Sequence, residues 1–151
     1  MYIGHINLAK SFDSTGERFI TLVETLKQLG TKQYVVVRNV GIAKRLNYVT
    51  NVIVGPTVRS SVSAQCLIPR VDIVHVHGIS GWQAGLLLIL TKSIPFVLTS
   101  VKHESRMRNP IMQAAFDRAS AVIPEEVTDA ADILLVYRRA VEPLRVPTML
   151  L

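Results

Sequence analysis

The chain has 151 residues, of which 49% are hydrophobic, and this length and composition predict one domain with one buried core over residues 1–151. A single cysteine excludes an internal disulfide framework. The first residues lack the basic and apolar regions of a secretory signal, and no apolar run approaches the roughly 20 residues needed to cross a bilayer. We therefore expect a cytoplasmic protein.

The positive charge of the chain favours an anionic partner. The net charge is +6 and the isoelectric point is near 9.8. Aromatic residues make up 6% of the chain and do not alternate with Arg and Lys, which argues against nucleic acid. Lys44-Arg45 and Arg138-Arg139 would suit a face resting on anionic lipid at the inner side of the membrane, with ordinary surface charge as the alternative.

Short β-branched runs alternate with helical patterns along the whole chain. This order predicts an α/β fold with a three-layer, doubly wound, mainly parallel sheet. The first helix is expected to start with a capping box at Ser14 and Glu17 and to end at Gly30. Its buried face should carry Phe19, Leu22, Val23 and Leu26. The predicted strands are 2–8, 33–38, 51–54, 71–77, 95–99 and 121–123, and the later helices are 42–48, 82–90, 110–118 and 128–139, before an extended segment at 143–147.

Residues 71–78 read Val-Asp-Ile-Val-His-Val-His-Gly, a β-branched run that ends in glycine. Such a run predicts a central parallel strand buried on both faces. Ligands of open α/β sheets bind beyond the carboxyl ends of such strands, which points to His77 and Gly78 as substrate-binding residues. Gly78 could also serve only to permit the turn.

His75 and His77 should share one face of this strand, so the pair could supply two metal ligands. Only two other histidines and one cysteine exist to complete a coordination shell. We therefore expect no metal and no cofactor, and we expect His75 to be a packed, hydrogen-bonded strand residue. Gly16 has two interpretations as well: its backbone could cradle a phosphate at a helix start, or it could be a loop glycine before a capped helix.

Residues 72–77 resemble the D-[IV]-[IV]-H-x-H segment in the acceptor half of family 4 glycosyltransferases, which are retaining enzymes of the two-domain GT-B architecture. Three further segments resemble that half in the same order: 15–18 its glycine loop and helix start, 94–99 its fifth strand, and 118–123 its sixth strand. Tyr137 and residues 144–147 resemble the tail that leads into the second half. The motif for the nucleotide sugar belongs to that second, donor-binding half, which these residues do not include.

The resemblance implies a single Rossmann-like half that binds the acceptor of a hexosyltransferase and is active only with a donor-binding half. Its partners would be a nucleotide-sugar donor, through the other half, and a cell-envelope glycan or glycolipid such as lipopolysaccharide. The family often carries Thr-x-His after the fifth strand, where this chain reads Thr99-Ser100-Val101. This departure supports the alternative of a non-catalytic α/β binding or interaction module derived from the same fold.

The segment 102–109 forms a basic loop after the fifth predicted strand. Lys102, Arg106 and Arg108 are expected to contact substrate, because ammonium and guanidinium groups suit phosphate or carboxylate oxygens. His103 is the candidate for a catalytic residue. The alternative is a solvated surface loop. If the loops after the first, fourth and fifth strands converge, these residues lie in one cleft with Gly16, His77 and Gly78.

Overall fold

The computed structural model describes residues 1–55, 57, 71–101 and 110–124. Within these residues lie six strands and four helices. The predicted helix over 128–139 and the segment 143–147 lie outside them. The strands are β1 (Tyr2–Asn7), β2 (Lys32–Val37), β3 (Asn51–Val54), β4 (Ile73–His77), β5 (Phe96–Val101) and β6 (Ala121–Pro124), and the helices are α1 (Ser14–Gln28), α2 (Val40–Leu46), α3 (Gly78–Lys92) and α4 (Pro110–Arg118).

All six strands are parallel and form one sheet in the order β3-β2-β1-β4-β5-β6. Side chains of α1 and α2 pack with Val35 and Val37 on one face. Side chains of α3 and α4 pack with Val74, Val76 and Leu98 on the other face. The predicted α/β fold with three layers and a doubly wound sheet is confirmed.

Strand β4 lies in the centre of the sheet, between β1 and β5. Val74 and Val76 are fully buried on the α3 side, whereas His75 and His77 are buried on the α1 side. The predicted burial on both faces is therefore confirmed. The strand begins at Ile73 rather than at residue 71. Asp72 still contacts β1, since its carboxylate accepts from the Tyr2 backbone N–H at 2.7 Å and its own N–H donates to the Tyr2 carbonyl at 2.9 Å.

The N-terminus of α1 differs from the prediction. Asp13, not Ser14, caps the helix: its Oδ1 accepts from the Gly16 backbone N–H at 3.2 Å, and its carbonyl accepts from that of Glu17 at 3.0 Å. The Glu17 side chain pairs with Arg45 of α2 at 3.1 Å, so the predicted capping box is wrong. The cap lies one residue earlier because the carboxylate of Asp13 reaches the N3 amide of a helix that starts at Ser14.

The predicted buried face of α1 is correct only in part. Phe19 and Val23 are buried as expected, but Ile20 is buried beside them, whereas Leu22 and Leu26 are half-buried. The predicted end of the helix is confirmed, since Gly30 follows it with a φ of 79°. That conformation favours glycine.

Helix α3 starts at Gly78, earlier than predicted, and contains two glycines that lie against the sheet. A Cβ on Gly85 would come within 2.7 Å of the ring of Phe96, which is fully buried. A Cβ on Gly81 would meet its nearest neighbours, in Ile6 and Val76, at 3.4 Å. The absence of a side chain at Gly85 therefore brings the helix close to β5. Among the described residues, no helix has the length and hydropathy required to span a membrane.

We expect Asp13→Ala to lower the free energy of unfolding by about 0.5 to 2 kcal/mol, because the amide of Gly16 loses its cap. Ser14→Ala is the matched control, and its effect should stay within about 0.5 kcal/mol. Urea unfolding of the two variants measures the difference. Equal losses in the free energy of unfolding of the two variants would contradict the assignment of the cap to Asp13 rather than Ser14.

We expect Gly85→Ala to destabilise the protein by about 1 to 3 kcal/mol, because the added methyl group overpacks the contact with Phe96. The same substitution at Gly81, on the same helix, should be neutral or should gain up to about 1 kcal/mol from helix propensity. Thermal unfolding of both variants tests this contrast. A Gly85→Ala variant as stable as Gly81→Ala would show that the contact has room for the methyl group.

Candidate functional site

Three histidines meet on the α1 face of the sheet. In the register of the central strands, His5 of β1 pairs with His75 of β4, and Asn7 pairs with His77. Alternate residues of a strand point to the same face, so all four side chains lie on one side of the sheet. These polar residues are buried, with exposures of 0% for His5, 9% for His75 and 5% for His77.

The three imidazole rings, which we call the three-histidine cluster, lie in contact distance of one another. The ring centroids are 4.3 Å apart for His75 and His77, 5.5 Å for His5 and His75, and 6.0 Å for His5 and His77. Phe19 of α1 covers the cluster, with an edge-to-face contact to His77 at 4.6 Å. The cluster therefore lies between the sheet and the first helix.

Gln33 of β2 determines the tautomer of His5. The Gln33 side-chain amide donates from Nε2 to the carbonyl of Val23 at 2.9 Å, so its Oε1 faces His5. An amide oxygen only accepts hydrogen bonds, and so the His5 Nε2, 2.9 Å away, must carry the proton and donate. The Nδ1 atom of His5 consequently keeps its lone pair.

The other two histidines differ in their hydrogen bonding. The Nε2 atom of His75 contacts the Oγ1 atom of Thr99 on β5. As predicted, His75 is a packed, hydrogen-bonded strand residue. The buried Nε2 atom of His77 has no hydrogen-bond partner within the described part of the chain. Leaving such an atom unsatisfied costs about 1 to 3 kcal/mol.

Burial keeps all three imidazoles neutral near neutral pH. Desolvation lowers the pKa of His5 from 6.5 to about 3, with repulsion from His75 adding to the shift and the hydrogen bond to Gln33 opposing it. Desolvation also lowers the pKa of His75 from 6.5 to about 4. The pKa of His77 lies well below its ordinary value, first through desolvation and then through repulsion from His75 and His5.

Gly78 lies at the carboxyl edge of the sheet, directly after β4. Its φ is 68°, and a Cβ added there would meet nothing within 4 Å. The backbone turn therefore favours glycine, and the space beside it is open. His77, one residue earlier, is the N-cap residue of α3, but its side chain makes no capping hydrogen bond and instead points into the cluster under Phe19.

Gly16 lies in the first turn of α1, where it is buried. A Cβ there would come within 2.9 Å of the Phe12 ring and 3.5 Å of Ile42. Its N–H already donates to the Asp13 carboxylate. The close contacts with Phe12 and Ile42 explain why residue 16 is a glycine. The Asp13 carboxylate places a negative charge where a bound phosphate would lie.

The remaining predicted site residues, Lys102, His103, Arg106 and Arg108, lie outside the described residues, so their convergence with Gly78 stays a prediction. His75 and His77 share one face of β4 as predicted, but His5 was not part of the predicted pair. The signal for His5 was its place in the middle of the first predicted strand, where a histidine that is buried needs a polar partner. The register that joins β1 to β4 was the missing information.

No family model matches the chain, and no curated protein matches it. One similar solved structure is a fusion containing the trimeric coiled coil of yeast Spc42, with 13% identity, a TM-score of 0.45, and coverage of 89% of this chain and 75% of that chain. Another is the N-terminal domain of a response regulator/sensory box/GGDEF protein from Carboxydothermus hydrogenoformans, with 13% identity, a TM-score of 0.47, and coverage of 90% of each chain. Likenesses this low do not bear on function.

The lowered histidine pKa values predict a loss of stability in mild acid. Between about pH 6.5 and about pH 4 the unfolded chain binds protons at these histidines and the folded chain does not, so the free energy of unfolding falls as the pH falls. Urea unfolding across this range measures the slope. Replacing both His75 and His77 with Leu should make the slope shallower.

The wild-type protein provides the decisive comparison for this prediction. Equal free energies of unfolding at neutral pH and one unit below the ordinary histidine pKa would mean that the folded state accepts these protons. The cluster would then be solvated rather than buried.

Proposed function

We propose that the chain is the acceptor-binding half of a retaining glycosyltransferase, which transfers a sugar from a nucleotide-sugar donor to a cell-envelope glycan or glycolipid such as lipopolysaccharide. The observation that carries this proposal is the position of Gly78. It follows β4 at the carboxyl edge, beside β1, where the chain connections leave in opposite directions. Crevices at such switch points are where open α/β sheets bind ligands.

The order of the resembling segments supports the proposal. Residues 72–77 overlap the central strand β4, residues 94–99 overlap β5, and residues 118–123 lead into β6. The similar motifs thus fall on neighbouring parallel strands whose carboxyl ends share one edge of the sheet. An acceptor bound at that edge would contact the loops that follow these strands.

The charge at the N-terminus of α1 supports the proposal that the nucleotide-sugar donor binds to a separate half of the enzyme. Helix N-termini often bind phosphate through free backbone N–H groups. Here the Asp13 carboxylate accepts from Gly16 and brings a negative charge to that position. Repulsion from this carboxylate disfavours a nucleotide diphosphate at α1, so the donor would be held by a separate donor-binding half.

In this proposal the chain contributes by holding an acceptor hydroxyl in the cleft between two α/β halves. Orientation of reactants can supply several kcal/mol of the barrier, but only when donor and acceptor are held together. Lys102, Arg106 and Arg108 would pair with anionic groups of the acceptor, and the basic surface would rest on the inner face of the membrane. Turnover would require the donor-binding half.

One observation favours the second candidate, a non-catalytic α/β binding or interaction module. His77, the last histidine of the D-[IV]-[IV]-H-x-H segment, is buried under Phe19 instead of exposed at the cleft. A module of this kind would bind its glycan without supporting transfer. Measurements of binding and of sugar transfer therefore separate the two candidates.

We expect Gly78→Asn to weaken binding of detergent-solubilised lipopolysaccharide by about tenfold or more, equivalent to about 1.4 kcal/mol, because the new side chain would occupy the crevice. Asn tolerates the left-handed backbone conformation. Gly30→Asn is the matched control: its φ is also positive and its surroundings are also open, but it precedes β2 at the opposite edge of the sheet. Calorimetry on both variants gives the affinities.

Three outcomes would contradict the glycosyltransferase proposal. The first is equal affinities for the two variants, and the second is tight binding of UDP-glucose or GDP-mannose to the chain alone. The third is binding of lipopolysaccharide without any sugar transfer in the presence of a donor-binding half, which would establish the non-catalytic module instead.

A further inference from the structure

The three-histidine cluster has the arrangement of a metal site. One ligand nitrogen from each of His5, His75 and His77 lies within 4.8 Å of the other two. The prediction of no metal rested on the small number of further ligands, two histidines and one cysteine, that could join His75 and His77. His5 supplies the third ligand from a neighbouring strand. We propose that this cluster binds one divalent transition-metal ion of the zinc type.

The distances in the cluster require only small side-chain movements for metal binding. Zinc lies about 2.0 to 2.1 Å from imidazole nitrogens, so two tetrahedral ligands lie about 3.3 Å apart. The widest separation of 4.8 Å must therefore shorten by at most about 1.5 Å. Rotation of the rings about their side-chain torsions can provide this, because the three residues lie on two directly paired strands with His5 opposite His75.

The hydrogen bonds around His5 orient a specific ligand atom. Its Nε2–H donates to Gln33, which is itself fixed by the Val23 carbonyl, so the lone pair of Nδ1 is the one that can coordinate. Metal-binding histidines typically donate their second ring N–H to such an acceptor, which fixes the tautomer. Gln33 is therefore a positioning residue for the metal ligand.

His77 gives an independent argument for a ligand. Its buried Nε2 has no hydrogen-bond partner among the described residues, although the ring is covered by Phe19 and the other imidazoles. A metal ion would give this nitrogen the partner that it lacks. His75 completes the set, and its contact with Thr99 restrains the ring from the side of β5.

The donor atoms select the class of metal. Three imidazoles suit zinc, cobalt, nickel or copper, whereas magnesium and calcium require oxygen ligands, and no carboxylate of the described residues belongs to the cluster. Three protein ligands leave a fourth tetrahedral position for water or a substrate oxygen. The inference does not depend on the glycosyltransferase proposal, because it uses the buried face of β1 and β4 rather than the carboxyl edge.

The test uses the whole chain, stripped with a chelator and then titrated with cobalt(II) and zinc(II). We expect one equivalent of cobalt to bind with the strong visible absorption of tetrahedral nitrogen coordination, and zinc to displace it. His77→Phe should weaken zinc binding by more than about 100-fold, since loss of an outer-shell partner alone costs about 10- to 100-fold. Gln33→Leu should fall in that 10- to 100-fold range.

His77→Phe also protects the test against misfolding, because it removes a buried nitrogen that has no hydrogen-bond partner among the described residues and keeps an aromatic ring beside Phe19. The control adds Leu29→His to His77→Phe, which restores the number of histidines at a position that is 73% exposed and outside the cluster. This double variant should bind zinc as weakly as His77→Phe, and recovery of the wild-type affinity would indicate non-specific histidine binding and overturn the proposal.

Histidine side-chain ¹⁵N NMR gives a readout that needs no variant. On adding zinc, we expect the resonances of His5, His75 and His77 to shift, with coordination of His5 through Nδ1. Absence of any shift in these three rings, or failure of the wild-type chain to bind cobalt, would mean that the histidines serve only as neutral core residues, and the metal site would be rejected.

Discussion

The parallel pairing of β1 with β4 is the constraint on which the rest of the structure depends. It joins two strands that are distant in sequence, with His5 opposite His75 and Asn7 opposite His77. A slip by one residue would carry every side chain of a strand to the opposite face. The pairing therefore fixes the polar patch under α1, the apolar surface under α3, and the place beyond Gly78 where the connections diverge.

The patch is held by hydrogen bonds that lead outward to neighbouring elements. His5 is linked to Gln33 of β2, His75 to Thr99 of β5, and Asn7 accepts from the backbone of Ala9. Buried polar groups are normally satisfied in this way, because an unpaired one loses its hydration without compensation. The histidines thus connect the four adjacent strands β2, β1, β4 and β5. Their ring nitrogens, which are the atoms that bind metal ions, lie close to the proposed binding crevice.

Much of the fold could be predicted from the sequence, because β-branched runs and amphipathic helices are local patterns. Strand β3 and helix α4 agree with the predicted bounds, and the central place of β4 was predicted from its β-branched run that ends in glycine. The cap of α1 was misplaced, since Asp13, Ser14 and Glu17 all have capping chemistry and only the backbone decides among them. The third histidine was missed for a different reason: the contact of His5 with His75 spans 70 residues, and no local pattern encodes a register between strands.

Gln33 links the packing of α1 to the location of a single proton. Its amide bridges the Val23 carbonyl and the His5 ring. If the amide flipped, two oxygens would face each other at Val23 and two donors would meet at His5. The orientation of the helix on the sheet thus decides which ring nitrogen is protonated, without reference to solvent pH. If α1 slid along the sheet so that the Val23 carbonyl no longer accepted from Gln33, the Gln33 amide would be able to flip. His5 would then move its proton from Nε2 to Nδ1, so a displacement of the helix would change the tautomer of His5.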